Sequence, residues 1–175
     1  MWKRVSAPAL WAVAAAVFLA APVAVPVRAA AQDAAVAAQQ EQLVIDSQGQ
    51  RYVLRIDLAR RDEELARGLM FRRQIADDYG MLFDFGADRH VSMWMHNTYV
   101  SLDMLFIDRH GIIRKIHERA RPLDDTIIRS GEPVRAVLEI KGGGAAARGL
   151  KVGDRVEHPM FDPLPQEPSV PVAPQ

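Results

Sequence analysis

The chain has no cysteine. That absence excludes disulfides, thiolate metal sites, a thiol nucleophile and a lipid-modified N-terminal cysteine. Net charge is missing as well, since 22 basic groups balance 22 acidic ones over 175 residues. The balance averages unlike parts: residues 1–31 contain Lys3, Arg4 and Arg28 and no acid, and the other 144 residues carry 19 basic against 22 acidic groups, a net of −3. A mildly acidic chain is a poor polyanion binder, because non-specific nucleic-acid affinity comes mainly from phosphate neutralisation. Nucleic acid is therefore not an expected partner.

Several catalytic signatures are also absent. Ser47, Ser92, Ser101 and Ser130 lie in no Gly-x-Ser-x-Gly elbow, so an esterase triad has no local support. His90, His96, His110, His117 and His158 form no His-x-x-x-His pair with a glutamate between, which leaves a zinc hydrolase unsupported. The acid pairs Asp77-Asp78 and Asp124-Asp125 sit in loop-like contexts that suit solvated turns. Gly142-Gly143-Gly144 with Ala147 fits G-x-G-x-x-A in form. It opens one helical turn near the end of the domain, without the βαβ context that dinucleotide binding requires.

What is present speaks first to targeting. Met1-Trp2-Lys3-Arg4 precedes an apolar run from about Ala7 to Val27, and Ala29-Ala30-Ala31 supplies small residues for cleavage. A basic n-region, an apolar h-region and an Ala-x-Ala site make a signal peptide over residues 1–31. With no twin-Arg pair in this segment, general secretory export to the periplasm is the expected route. The competing reading is an uncleaved membrane anchor, which Pro8, Pro22 and Pro26 disfavour. Residues 32–41 form an Ala/Gln-rich spacer. Residues 159–175 hold six prolines and read as a flexible or semi-rigid tail. One globular domain, without internal repeat, spans residues 42–158.

Within it, Tyr52, Leu54, Ile56 and Leu58 alternate with polar neighbours, the period-two pattern of a half-buried strand. Leu43-Val44-Ile45 precedes it across a hairpin-like loop. Asp62 to Gly68 reads as a short helix with an acidic N-cap at Asp62, a basic last turn and a glycine stop. Further strands are expected at 80–85 and 91–96, divided by residues 86–89. Residues 102–108 and 112–119 predict a hairpin turning at Arg109-His110-Gly111. Val134, Ala136, Leu138 and Ile140 alternate again, ahead of a helical turn at 145–150 and a last strand at 155–158. Strands without interleaved long helices exclude a doubly wound sheet. The expected class is α+β, mostly β: a curled antiparallel sheet or small barrel with one or two short helices.

Three blocks carry a family resemblance: Leu65-Ala66-Arg67-Gly68-Leu69-Met70-Phe71-Arg72, Gly80-Met81-Leu82-Phe83, and Trp94-Met95-His96-Asn97-Thr98 followed by Leu102 to Asp108. With Val137-Leu138-Glu139-Ile140 and Gly149 to Asp154, the chain resembles the domain of unknown function 192 family over about residues 50–158. The resemblance implies a small, mostly β domain, often behind an export signal, and supplies no catalytic residues. His96 stands where the family usually has Lys.

The site favoured by the sequence is a polar pocket mouth. Asn97 and Thr98 leave one strand and Asp103 enters the next, while Arg67 and Arg72 flank Gly68 to Phe71 and offer paired donors for carboxylate or phosphate. Trp94 adds an aromatic surface. The bland alternative is that Asn97 and Thr98 cap a loop and Asp103 pairs structurally. Met93, Met95 and His96 would suit soft Cu(I) or Ag(I), with Met70, Met81, Met104 and Met160 as further sulfur donors. Against that, Met is a common core filler and strand alternation separates both thioethers from His96, so no cofactor or metal is predicted. Lys115, His117, Arg119 and Arg121 form a basic strand face, read as solvated or as a surface for an acidic partner.

These readings converge on a non-enzymatic binding domain of the cell envelope, with a small polar or anionic ligand or an envelope protein as partner. The alternatives are an envelope hydrolase of carbohydrate or ester, using Asp103 with His96 or Glu139, a copper-binding protein, and a scaffold that meets a partner through its Pro-rich tail.

Overall fold

The alternation written in the sequence becomes a curled sheet in the computed structural model, which describes residues 41–163. The predicted signal peptide, nearly all of the spacer and most of the Pro-rich tail lie outside the described residues. In chain order the elements are β1 (Glu41–Ser47), β2 (Gln50–Ala59), α1 (Asp62–Arg67), β3 (Tyr79–Arg89), β4 (Ser92–Met93), β5 (Leu102–Ile107), β6 (Ile113–Ala120), β7 (Ile128–Arg129), β8 (Val134–Lys141), α2 (Gly144–Ala147) and β9 (Arg155–Glu157). Seven strands form one sheet in the order β6-β5-β8-β3-β2-β1-β9, and β4 pairs with β7 in a separate ribbon. The class is the expected one: mostly β, with two short helices. Among the described residues, no helix is long and apolar enough to cross a membrane.

Curling brings the two ends of the sheet together. Ile112 bridges Arg155, the Val156 N–H donates to the Gly111 carbonyl at 2.7 Å, and the Ile113 N–H donates to the Asp154 carbonyl at 2.9 Å. A shared seam of this kind satisfies edge groups that would otherwise be open to pairing with another chain. Inside the curl, Leu43, Ile45, Leu54, Leu82, Leu105 and Leu138 make one core. A second core lies on the other face of β3, β5 and β8, where Phe83, Met104, Phe106 and Val137 meet Leu69, Val91 and Met95 from the covering segments. Each fully buried large apolar side chain contributes about 1.5–3 kcal/mol of burial energy. β5 is consequently buried along its whole length, on both faces.

Several sequence expectations are corrected here. β2 and β3 run parallel, with Ile56 opposite Gly80 and Leu58 opposite Leu82, so the sheet is mixed. Residues 60–78, which include α1, pass over the outer face and return the chain in its original direction, as a parallel pair requires. Residues 86–89 do not divide two strands, because β3 continues to Arg89 through an irregularity after Asp84. Residues 91–96 are not one strand. Only Ser92 and Met93 pair, with the unforeseen β7, and then the Met95 N–H turns to the Asp124 carbonyl. Glu41, placed in the spacer by its composition, is the first residue of β1. The cap of α1 is Arg61 rather than Asp62: the Glu64 carboxylate reaches back to the Arg60 and Arg61 N–H groups, both at 3.1 Å.

Candidate functional site

In β8, Leu138 and Ile140 enter the first core, so the period of two turns Val137 and Glu139 to the opposite face. On that face Glu139 stands between Met81 of β3 and Met104 of β5, its register partners on the two neighbouring strands. It is 4% exposed. Among the described residues its carboxyl has no hydrogen-bond or ion-pair partner. Burial alone pushes that carboxyl up to about 8, because the charged form loses water and gains nothing in return.

An open cleft of about 360 Å³ leads to this group. Phe83 and Phe85 of β3, Met93 of β4, and Trp94 contribute apolar surface, and Gly68 and Thr98 are among the other lining residues. Gly68 ends α1 with φ +46, where its N–H donates to the Glu64 carbonyl at 2.9 Å. A Cβ there would stand 2.9 Å from Phe83 Cζ and 3.9 Å from Glu139 Oε2. The missing side chain therefore keeps the acid accessible. Two exposed guanidiniums belong to the lining, Arg67 from α1 and Arg89 from β3. Arg89 lies over the Phe85 ring at 4.7 Å. Among the described residues neither Arg67 nor Arg89 is ion-paired. Acid in the interior and bases outside give the cleft a polarity.

The structure brings together three of the six residues singled out from the sequence: Arg67, Trp94 and Thr98. The Thr98 hydroxyl donates to the His96 carbonyl at 3.2 Å. Arg72 belongs instead to an adjoining depression with Arg67 and Met81, where it pairs with Asp57 at 2.7 Å and covers the Tyr79 ring. Asn97 does not line the cleft. It makes the turn, with φ +52, and its carbonyl accepts the Phe71 N–H at 2.9 Å. Asp103 is fully buried elsewhere: its carboxylate accepts the N–H groups of Arg119 (2.7 Å), Gly143 (2.9 Å) and Ala145 (2.8 Å). It fastens β6 and the start of α2 to β5 and does not line the cleft.

The alternative chemistries fare worse. Met95 is buried in the second core and Met93 lines the cleft, while His96 lies at the surface with Nδ1 2.8 Å from Asp125. The three soft-metal candidates do not converge. Asp103 pairs with Ile140 and Glu139 with Met104, so the two acids occupy opposite faces of the sheet, and Asp103 is buried while His96 is exposed beside Asp125; neither of the two hydrolase pairs is assembled. The basic strand is partly consumed internally: Lys115 bonds the Arg129 carbonyl and Arg121 pairs with Asp124. The glycines at 142–144 pack closely, Gly142 against Ser101, Gly143 against Arg119 and Gly144 against Arg148 and Ile140, as a turn with close approaches requires.

Glu139 is the group the sequence reading undervalued. Its one visible signal is an acid on the polar side of an alternating strand, which ordinarily means a water-facing residue. Only the covering of that face by residues 60–78 and 91–101 gives it another meaning.

Residues 43–158 match the family model DUF192, described as uncharacterized ACR, and the chain belongs to that family. Among solved structures, it is similar to a Sinorhizobium meliloti protein described as a candidate transcription regulator. Identity is 48%, the TM-score is 0.67, and the match covers 67% of this chain and 92% of the other. It is also similar to a protein of unknown function from Novosphingobium aromaticivorans, at 38% identity and a TM-score of 0.65, covering 67% of this chain and 84% of that one. Among curated proteins nothing matches.

Proposed function

We propose that this family member is a non-enzymatic domain that binds a small polar ligand in the cleft over Glu139. One observation carries the reading: a buried carboxyl without a partner among the described residues lies in an open, aromatic-walled cleft. An unpaired buried polar group costs stability, and a ligand that bonds it recovers part of that cost. A concave apolar site with a few convergent polar groups is the usual form of a small-molecule pocket. Among the described residues the lining includes no second carboxylate, histidine or lysine to complete an acid–base pair with Glu139. The proposed setting is the periplasm, on the strength of the N-terminal export pattern. Fractionation of cells expressing the full chain, with the mass of the mature form, tests that setting.

Regulation of transcription, as described for the Sinorhizobium meliloti relative, finds less support. The longest helix among the described residues has six residues, too short for a recognition helix laid along a major groove.

The test is a small-molecule panel followed by amide NMR of the folded domain. Binding at this site shifts the amides of Gly68, Phe83, Trp94 and Glu139 and is lost in Trp94→Ala. Shifts confined to other surfaces, or none across the panel, overturn the reading. Steady turnover of an envelope ester or glycan that is abolished in Glu139→Gln would establish the hydrolase alternative, since an acid raised to about 8 is a competent proton donor at neutral pH.

A further inference from the structure

The charged groups of the cleft are arranged by depth, and that arrangement narrows the ligand. Among the described residues one acid and two bases line the cleft: Glu139 from β8, Arg67 from α1 and Arg89 from β3. The other neighbours of Glu139, Met81 and Met104 on the flanking strands and Met93 and Trp94 across the cleft, carry no charge. Glu139 is almost fully buried, whereas both guanidiniums are exposed. A simple anion would be held by the guanidiniums but would meet a carboxyl in the interior, which must then stay protonated. A simple cation would gain Glu139 and the aromatic walls of Phe83 and Trp94, but would have to pass two guanidiniums that no carboxylate among the described residues pairs. Only a ligand with both signs, cation leading and anion trailing, is complementary along the whole cleft.

Building on the binding function proposed above, we infer that the cleft takes a small zwitterion, an amino acid or an amino-acid-like compound, with its ammonium on Glu139 and its acidic group on Arg67 and Arg89. Aromatic walls beside a desolvated carboxylate favour an ammonium over water. Paired guanidinium donors suit a carboxylate at the outer end. Docking of an ammonium favours ionised Glu139, so binding near neutral pH expels a proton to solvent.

The experiment titrates the folded protein by calorimetry with unbranched amino acids of graded length, from glycine to 6-aminohexanoate. Two buffers of different ionisation enthalpy report the proton count. The best binder is then compared with its N-acetyl and amide derivatives. The expected result is a length optimum, net proton release at pH 7, and about tenfold or greater loss of affinity on blocking either end. Glu139→Gln should remove the proton release. Arg67→Ala, a surface change that leaves folding intact, should weaken the parent compound while leaving its amide derivative unaffected. Equal binding of the N-acetyl derivative, unaltered by Glu139→Gln, would mean an anion site at the guanidiniums. Equal binding of the amide derivative would mean a cation site. Either overturns the zwitterion and leaves the binding function standing. Failure of the whole series beside a hit from the broader panel also overturns the zwitterion alone, and failure of both removes the binding function too.

Discussion

Gly68 and Glu139 meet across the cleft, with the Cβ that glycine lacks standing 3.9 Å from the carboxylate oxygen. The same position is 2.9 Å from Phe83 Cζ, so a methyl group cannot be added without displacing the ring. The conformation, φ +46 with ψ −135, is also foreign to residues with a side chain. Two independent requirements, backbone and space, therefore select glycine where α1 hands the chain to the cleft wall.

Gly68→Ala should accordingly cost about 1–3 kcal/mol from backbone strain, with displacement of Phe83 added to it. Urea unfolding measures the total. Affinity for any cleft ligand should fall in the same variant even under conditions where it remains fully folded. Unchanged affinity would place the ligand elsewhere.

Glu139 makes stability depend on pH with a definite sign. Burial pushes its carboxyl up to about 8 in the folded chain, from 4.5 for the free group. Below 4.5 both states hold the proton. Between the two values the unfolded chain gives it up first, so the folded state loses ground as pH rises, and the loss is complete above about 8. A shift of this size corresponds to several kcal/mol, at about 1.4 kcal/mol per pH unit. Urea midpoints should decline from pH 5 to pH 8.5 in the native chain and stay flatter in Glu139→Gln. Glu64 acts with the opposite sign: its contacts with Arg61 and the backbone hold it down at about 2, so its contribution is present above 4.5 and disappears toward pH 2. The two windows do not overlap.

Much of the sheet was legible because one face of most strands is lined without interruption. Leu43 and Ile45, Leu54 and Ile56, and Leu138 and Ile140 keep the period of two that places them in the first core. The second core was harder to read. Its residues arrive from β3, β5 and β8 and from two irregular coverings, where Leu69, Val91 and Met95 obey no common period. Reading 91–96 as a strand failed for that reason: Val91, Met93 and Met95 alternate, but their carbonyls and N–H groups go to turns and to the short β7. Candidate site residues followed the same division. Arg67 was visible as a base at the end of a predicted short helix, beside Gly68, and Trp94 as an aromatic on a segment that proves irregular. Glu139 was concealed in an otherwise ordinary alternation, because sequence shows which face a residue takes and not what covers that face.

Asp103 should separate structural from functional acids. Asp103→Ala leaves the N–H groups of Arg119, Gly143 and Ala145 without their acceptor, in a region closed by Gly142 against Ser101. The expected cost is about 3–5 kcal/mol, in the range for losing a buried hydrogen-bonded charge. Asp103→Asn keeps one acceptor oxygen and should recover part of it. Arg67→Ala and Trp94→Ala, at exposed positions of the cleft, should each change stability by about 0.5 kcal/mol or less. Thermal unfolding of the four variants checks the contrast, and an Asp103→Ala protein as stable as Arg67→Ala would refute the fastening role.

Closure of the curled sheet depends on Gly111, where the β5–β6 turn meets β9. Its φ of +82 suits glycine, and an added Cβ would strike the Val156 carbonyl oxygen directly. Gly111→Ala must therefore push β9 away from the turn. The bonds at risk are Val156 N–H to Gly111, Ile113 N–H to Asp154 and Gly153 N–H to Ile113. The β5–β6 ladder has its own pairing from Leu102 to Ile107 and does not need this seam. Amide hydrogen exchange should thus accelerate at Gly153, Ile113 and Val156, while Leu105 and Phe106 keep protection close to the global value. Uniform acceleration across β5 as well would mean that the seam and the two cores unfold as one unit, and the sheet could not then be described as an open curl fastened at its edge.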